Sequence, residues 1–260
     1  MKYTGPVTAP AAILLLFALA APAQWFNYPT ANLPRNADGK VDLSAPVPRT
    51  ADGHPDLSAL WQPANGGADP QFRDVALNVA GGLPFQPWAA ELVKARRAEE
   101  NKDDPDGFCK PLGLVKMHLH PYPRKVIQLP GLIVILFERE TTYRQIFTDG
   151  RPHPVDPNPA FMGYSVGHWE EDTLVVETIG FNDGLWLDIT GTPLTDAARV
   201  VERYRRPTFG ELEIDVTVDD RKAYTMPWTI KIRQTLAADT EMLEFYCNQN
   251  EKDVPHLVGK

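Results

Sequence analysis

The feature that most constrains this chain is a series of short strand-like runs that fills its second half. Most runs are separated by only a few turn-forming residues, such as Pro130-Gly131 and Asp219-Asp220. Short strands joined by short turns favour antiparallel neighbours in a barrel or a sandwich. The pattern predicts strands at Arg124–Leu129, Leu132–Glu138, Tyr143–Thr148, Gly163–Trp169, Thr173–Ile179, Val200–Tyr204, Glu211–Val218, Thr229–Thr235 and Met242–Cys247.

Each strand is expected to have one dry and one wet face. In Glu211–Val218, apolar side chains occupy the even positions and polar side chains the odd ones. A long meander closes on itself without leaving an exposed edge. The 25 prolines also argue against a helical bundle. We therefore expect an all-β fold, an antiparallel up-and-down barrel of the lipocalin-like kind.

The N-terminus predicts export. Residues 1–23 contain Lys2 as their only charge, an apolar core at Ala11–Ala20, and the small residues Ala21-Pro22-Ala23. This arrangement is typical of a secretory signal peptide. The apolar core is too short for the ~20 residues of a membrane-spanning helix. The mature protein is therefore expected in the periplasm or outside the cell, with no membrane association after cleavage.

The rest of the chain divides into an arm, a barrel and a tail. Residues 24–108 are interpreted as an extended arm plus one helix, Gln86–Lys102, in which Trp88, Leu92 and Ala95 share one face. The barrel is assigned to residues 109–250 and the tail to residues 251–260.

The two cysteines, Cys109 and Cys247, predict a disulfide. An even number of cysteines in an oxidising compartment favours pairing. A nucleophilic thiol is the alternative, but no Cys–His motif surrounds either residue.

Net charge and missing motifs exclude several functions. The formal charge of −8 and the absence of a basic stripe exclude a nucleic-acid partner. A phosphate-cradling loop, a His-Glu-x-x-His motif and a dinucleotide fingerprint are also absent. We expect no cofactor, with a metal at His118 and His120 as the alternative, and the oligomeric state stays open.

Four motifs carry a resemblance to a known group. They are Tyr143–Arg151 (YRQIFTDGR), Gly163–Gly167 (GYSVG), Asp172–Thr178 (DTLVVET) and Gly180–Asp183 (GFND). With these motifs the chain resembles a large group of secreted, β-rich bacterial proteins that brings no established reaction. The likeness runs from about residue 52 to residue 248 and implies export and a β-rich domain. His168 and the element His118-Leu119-His120 depart from the group's commoner pattern.

Six residues are candidates for acid–base catalysis. In an extended segment, His118 and His120 project to the same face and can serve one proton or one metal; the alternative is a pair of loop histidines. A metal would need a third ligand, such as Glu177, His168 or Asp149. Each of the others also has a structural alternative, such as a hairpin cap or an ion pair. The set is His118, His120, Tyr143, Asp149, His168 and Glu177.

A second set is expected to bind the substrate. It consists of aromatic and polar side chains on strands and on loops at the barrel mouth, where binding groups are common. Trp186 and the pair Tyr224 and Trp228 have a core role as their alternative. The set is Arg144, Tyr164, Asn182, Trp186, Tyr224 and Trp228.

These candidates favour a cofactor-free enzyme, a lyase or isomerase. It would transfer protons on a small, partly aromatic or sugar-like molecule inside the barrel, with His120 or His168 as base and Tyr143 as acid. The first alternative is a non-catalytic, lipocalin-like binding protein. Two further alternatives are a metal-dependent enzyme using the His-x-His element and a surface-interaction protein.

Overall fold

The computed structural model describes residues 28–65 and 70–247. The predicted signal peptide and the predicted tail lie outside these residues. Eleven strands are found there: β1 Ala59–Pro63, β2 Arg124–Leu129, β3 Leu132–Phe137, β4 Thr142–Phe147, β5 Tyr164–Glu170, β6 Thr173–Ile179, β7 Leu185–Trp186, β8 Pro193–Leu194, β9 Arg199–Thr208, β10 Glu211–Asp219 and β11 Trp228–Leu236. The α-helices are α1 Pro70–Arg73, α2 Pro87–Ala98 and α3 Leu114–Leu119, and short 3₁₀ turns cover Val75–Asn78, Pro105–Phe108 and Arg139–Thr141.

Nine strands form a closed barrel in the order β1-β11-β10-β9-β6-β5-β4-β3-β2, which confirms the all-β barrel. Eight of the nine strand pairings are antiparallel. The exception is the β4–β5 pairing, which is parallel and spans only Ile146↔Ser165 and Phe147↔Val166. The antiparallel prediction is imperfect at this pairing, because the long connection 148–163 returns the chain to start β5 beside the end of β4. Strands β7 and β8 form a separate two-stranded sheet.

The barrel is closed by a strand from the segment interpreted as an arm. β1 pairs with β2 on one side and with β11 on the other. The predicted strand Met242–Cys247 does not form. The position beside β11 that it would need is already taken by β1.

Helix α2 packs by a different face than the sequence pattern suggested. In α2, Ala89 and Val93 are buried and Leu92 is half-buried, whereas Trp88 is exposed. Trp88 instead donates its indole N–H to the carbonyl of Lys222 at 2.7 Å. In contrast, every residue of α3 is buried.

The disulfide between Cys109 and Cys247 is present, with the two Cα atoms 5.5 Å apart. It fastens the loop before α3 to the segment that follows β11. Within the described ranges, no helix is both long and apolar enough to cross a membrane.

Candidate functional site

The barrel interior contains a buried set of hydrogen-bonded polar side chains, here called the Glu202 network. Glu202 and Tyr204 lie on the inner face of β9, Arg144 on β4, Arg124 at the start of β2 and His118 on α3. All five residues are at most 2% exposed. A buried carboxylate is tolerated only when charged partners and hydrogen bonds replace the lost water.

Arg144 and His118 hold the Glu202 carboxylate. Arg144 forms a two-pronged ion pair with both carboxylate oxygens, while Tyr204 donates its hydroxyl to Oε1 at 2.7 Å. Burial alone would raise the pKa of Glu202, but Arg144 and His118 outweigh it and hold this pKa well below its ordinary value. Burial and the nearby Glu202 charge raise the pKa of Tyr204 well above its ordinary value. At neutral pH the carboxylate is therefore charged and the phenol keeps its proton.

Both ring nitrogens of His118 have partners. Arg124 lies 2.8 Å from Nδ1, and since a guanidinium can only donate, Nδ1 accepts. The proton of the neutral ring is therefore on Nε2, which donates to Glu202 Oε1 at 2.7 Å. Burial is the main reason that the pKa of His118 falls to about 4. In this arrangement His118 has no lone pair left to accept a proton from a substrate.

Arg144 uses all five of its N–H donors inside the protein. Besides Glu202 and Tyr204, it donates from Nε to Ser165 Oγ at 3.0 Å and from one terminal nitrogen to Thr178 Oγ1 at 2.9 Å. The hydroxyl oxygens of Ser165 and Thr178 also form a hydrogen bond with each other, at 3.0 Å. The Arg144 guanidinium is therefore fully hydrogen-bonded to acceptors on β5, β6 and β9.

Two neighbouring surface cavities lie beside this network. The Tyr164 cavity, of about 380 Å³, lies where β4 and β5 diverge. Arg144 and Ser165 belong to its wall, so the cavity reaches the edge of the Glu202 network. It is lined by Pro111, Thr142, Tyr143, Arg144, Gln145, Phe147, Ala160, Phe161, Met162, Gly163, Tyr164 and Ser165.

The second cavity, here called the Trp186 cavity, has a volume of about 390 Å³ and shares Pro111 and Phe161 with the first. Lys116 forms an ion pair with Asp104 in its wall, with nitrogen–oxygen distances of 2.7 and 2.8 Å. The Arg96 guanidinium lies 4.3 Å from the ring centre of Trp186. The lining is Asp104, Pro105, Asp106, Lys110, Pro111, Leu112, Lys116, Phe161, Asn182, Asp183, Gly184, Leu185 and Trp186.

The structure separates the histidines that the sequence analysis grouped. His118 lies in a helix, not in an extended segment, and only His120, which precedes Pro121, is extended. His120 is buried against Tyr122 and Phe72, and burial is the first cause that lowers its pKa to about 3. His168 is exposed on the outer face of β5 beside Glu170.

A catalytic role for Tyr143 requires its side chain to face the barrel interior, but β4 has the opposite orientation. Tyr143 is exposed and points outward, whereas Arg144 and Ile146 point inward. Asp149 lies in the exposed turn after β4 and binds Arg151, which is the structural alternative considered for it. Glu177 also lies outside the barrel, where it forms an ion pair with Arg199.

Of the six predicted binding residues, four line the two cavities. Arg144 and Tyr164 belong to the Tyr164 cavity, and Asn182 and Trp186 belong to the other. The aromatic pair Tyr224 and Trp228 is buried in the core instead, with ring centres 5.4 Å apart. Tyr224 donates its hydroxyl to the carbonyl of Pro193 at 2.6 Å.

The sequence analysis missed Arg124, Glu202, Tyr204, Ser165 and Thr178. The sequence pattern could have indicated Glu202 and Tyr204, because they share one face of a strand with the apolar Val200. It could also have indicated Ser165, because Gly163–Gly167 matches the Gly-x-Ser-x-Gly pattern of a nucleophile elbow. Its context differs, since Ser165 lies within β5 and hydrogen-bonds Arg144 and Thr178 rather than a histidine.

The described ranges contain no group of three or more His, Cys, Asp and Glu side chains arranged to hold a metal ion. Comparison of the chain with family models, with curated proteins and with solved structures gives no match. The resemblance to secreted β-rich bacterial proteins therefore stays a prediction.

Proposed function

We propose that this chain is an exported protein that binds a small, partly aromatic or sugar-like molecule in the Tyr164 and Trp186 cavities. Export is supported by the signal-like residues 1–23 and by the disulfide. The observation that carries the binding proposal is that two cavities of ligand size lie side by side and share Pro111 and Phe161 as lining residues.

The linings suit a ring-shaped ligand. Phe147, Phe161, Tyr164 and Trp186 contribute aromatic rings to the walls, and Asn182 offers a polar group for orientation. Aromatic walls with a few polar groups are typical of small-molecule sites.

The second candidate is the lyase or isomerase. The 2.7 Å contact between His118 and Glu202, with Tyr204 also bound to Glu202, favours it as a ready set of proton-transfer groups. Arg124 would first have to leave Nδ1 of His118, and a substrate would have to reach the barrel interior. Binding without catalysis needs neither change and is therefore preferred.

The test measures binding of two probes, 4-hydroxybenzaldehyde and methyl β-glucopyranoside, to the oxidised mature chain by titration calorimetry. Phe161→Ala removes one of the two shared lining residues, and loss of a buried aromatic contact should weaken binding about tenfold or more. Phe108→Ala is the matched control, because Phe108 is exposed and lines neither cavity. Absence of binding by both probes, or equal affinity in wild type and Phe161→Ala, would contradict the proposal.

The same probes distinguish the two candidates. If an enzyme reaction on a bound compound is found, His118→Gln should lower its turnover by about 10²–10⁴-fold. A binding protein should show no turnover and keep its probe affinity in His118→Gln.

A further inference from the structure

A third cavity, here called the Arg206 groove, lies where the N-terminal arm meets β1, β2 and the chain after β11. Its volume is about 410 Å³. Much of its wall is aliphatic, including Leu33 and Pro48 from the arm, Leu60 and Val126 from the barrel, and Leu236. The walls thus resemble those of a site for an aliphatic ligand.

Arg206 places a buried positive charge in this wall. The residue is only 5% exposed, and its guanidinium donates to the backbone carbonyls of Phe209 and Asp56. No carboxylate in residues 28–65 and 70–247 forms an ion pair with it. In comparison, the buried cations Lys116 and Arg144 each have a carboxylate partner, whereas Arg124 is held by His118.

The guanidinium has donors to spare. It carries five N–H groups, and three hydrogen bonds from it are found in the described part of the chain. Its central carbon lies 4.9 Å from the ring centre of Trp61 and 5.0 Å from that of Phe209, so cation–π contacts help to hold it in place. A planar guanidinium with a free N–H on each terminal nitrogen suits a carboxylate.

The other charged groups of the groove are already engaged. Lys125 faces Glu241 at 3.6 Å, and the Asp56 carboxylate accepts the backbone N–H of Ser58 at 2.8 Å. Burial lowers the pKa of Arg206 to about 10, and the charge of Asp56 offsets only part of this effect. The Thr240 hydroxyl, also in this wall, is buried without a hydrogen-bond partner among the described residues.

We propose that the Arg206 groove binds a small amphipathic monocarboxylate, with the carboxylate on Arg206 and an aliphatic chain along the apolar wall. This site is separate from the Tyr164 and Trp186 cavities, with which it shares no lining residue. It does not depend on the function proposed for them.

The experiment compares octanoate with 1-octanol by titration calorimetry on the oxidised mature chain at neutral pH. Octanoate should bind at least about tenfold more tightly, since a charge-assisted hydrogen bond adds roughly 1.5–3 kcal/mol. Arg206→Gln should abolish this preference, and Arg206→Lys should retain part of it. Arg203→Gln, on the outer face of the same strand, is the control and should leave the preference unchanged.

Equal affinity for both probes, no octanoate binding, or an unchanged preference in Arg206→Gln would overturn the proposal. If Arg206→Gln does not fold, Ala59→Trp tests the same site by filling the groove without touching the charge, and it should abolish octanoate binding. Phe161→Ala should leave octanoate binding intact, so failure of this proposal and failure of the other remain distinguishable.

Discussion

At the scale of single residues, Glu202 supplies the carboxylate of the buried network and connects β9 with β4 and α3. Its carboxylate holds Arg144 of β4 and His118 of α3, and it accepts the hydroxyl of Tyr204. Arg124 is attached to the same network through His118. Two guanidinium groups share this interior with one carboxylate, so its loss leaves positive charge buried.

Glu202→Gln should therefore lower the free energy of unfolding by about 3–5 kcal/mol, the cost of breaking a buried ion pair from one side. The measurement is urea unfolding at neutral pH. Glu170→Gln is the control, because Glu170 is half-exposed and pairs with Arg203 on the outer wall, where a pair contributes about 1 kcal/mol or less. Equal effects of the two substitutions would show that the network does not stabilise the barrel.

The buried histidines predict a loss of stability on acidification. The pKa of His118 is about 4 and that of His120 about 3, both below the ordinary value of 6.5. The unfolded chain therefore binds more protons than the folded chain below pH 6.5, and stability falls as the pH drops from 6.5 towards 4. At pH 5 each of the two buried histidines should lower the free energy of unfolding by about 2 kcal/mol.

Urea unfolding at pH 7 and pH 5 measures this loss of stability. Because His120→Gln removes one of the two histidines, it should reduce the difference in the free energy of unfolding between the two pH values by about half. A folded chain whose stability is the same at both pH values would contradict the assignment of neutral, buried imidazoles.

Sequence reasoning identified individual residues but not their partners. It selected His118 and Arg144, yet assigned them to separate roles. Their common partner, Glu202, is 58 positions from Arg144 in the chain, and the barrel register alone brings them together. An arginine that faces the barrel interior, such as Arg144, is plausible only when that distant carboxylate is known.

At the scale of elements, the sequence predicted eight of the nine barrel strands closely. It missed β1, because five residues ending in proline give a weak strand signal in a segment rich in turns. Met242–Cys247 had a strand-like pattern but no free neighbour, since β1 occupies the edge of β11. Strand identity is thus local information, whereas closure depends on which segment reaches the open edge.

The disulfide is the element-scale feature that is easiest to test. Cys109 and Cys247 are 138 positions apart, and such a cross-link is expected to stabilise the fold by about 2–5 kcal/mol. The double substitution Cys109→Ser and Cys247→Ser should lower the thermal midpoint while the strand signal in far-ultraviolet circular dichroism persists. An unchanged midpoint would show that the cross-link adds no stability.

The same substitution should affect the Trp186 cavity. Lys110 and Pro111, directly after Cys109, belong to its lining. Without the cross-link this wall is less restrained, so binding of 4-hydroxybenzaldehyde should weaken. An unchanged affinity for 4-hydroxybenzaldehyde would show that the disulfide does not hold this wall in place.

At the scale of the whole molecule, the barrel is a scaffold with a filled interior. Apolar side chains such as Ile214 and Val216 and the closed Glu202 network occupy the space in which the sequence analysis placed a substrate. The cavities of ligand size discussed above lie instead at the surface, where loops and the arm meet the barrel. The proposed ligand sites therefore lie at the surface of the barrel, and the buried charges of the Glu202 network have a structural role.

Chemical-shift mapping by nuclear magnetic resonance tests this placement most directly. With 4-hydroxybenzaldehyde added to the labelled mature chain, the amides of Leu112, Phe161, Tyr164 and Trp186 should shift in a saturable manner. The amides of residues deep in the network, such as His118 and Glu202, should shift little. Saturable shifts centred on His118 and Glu202, with none around Phe161, would instead place the ligand inside the barrel and contradict the account.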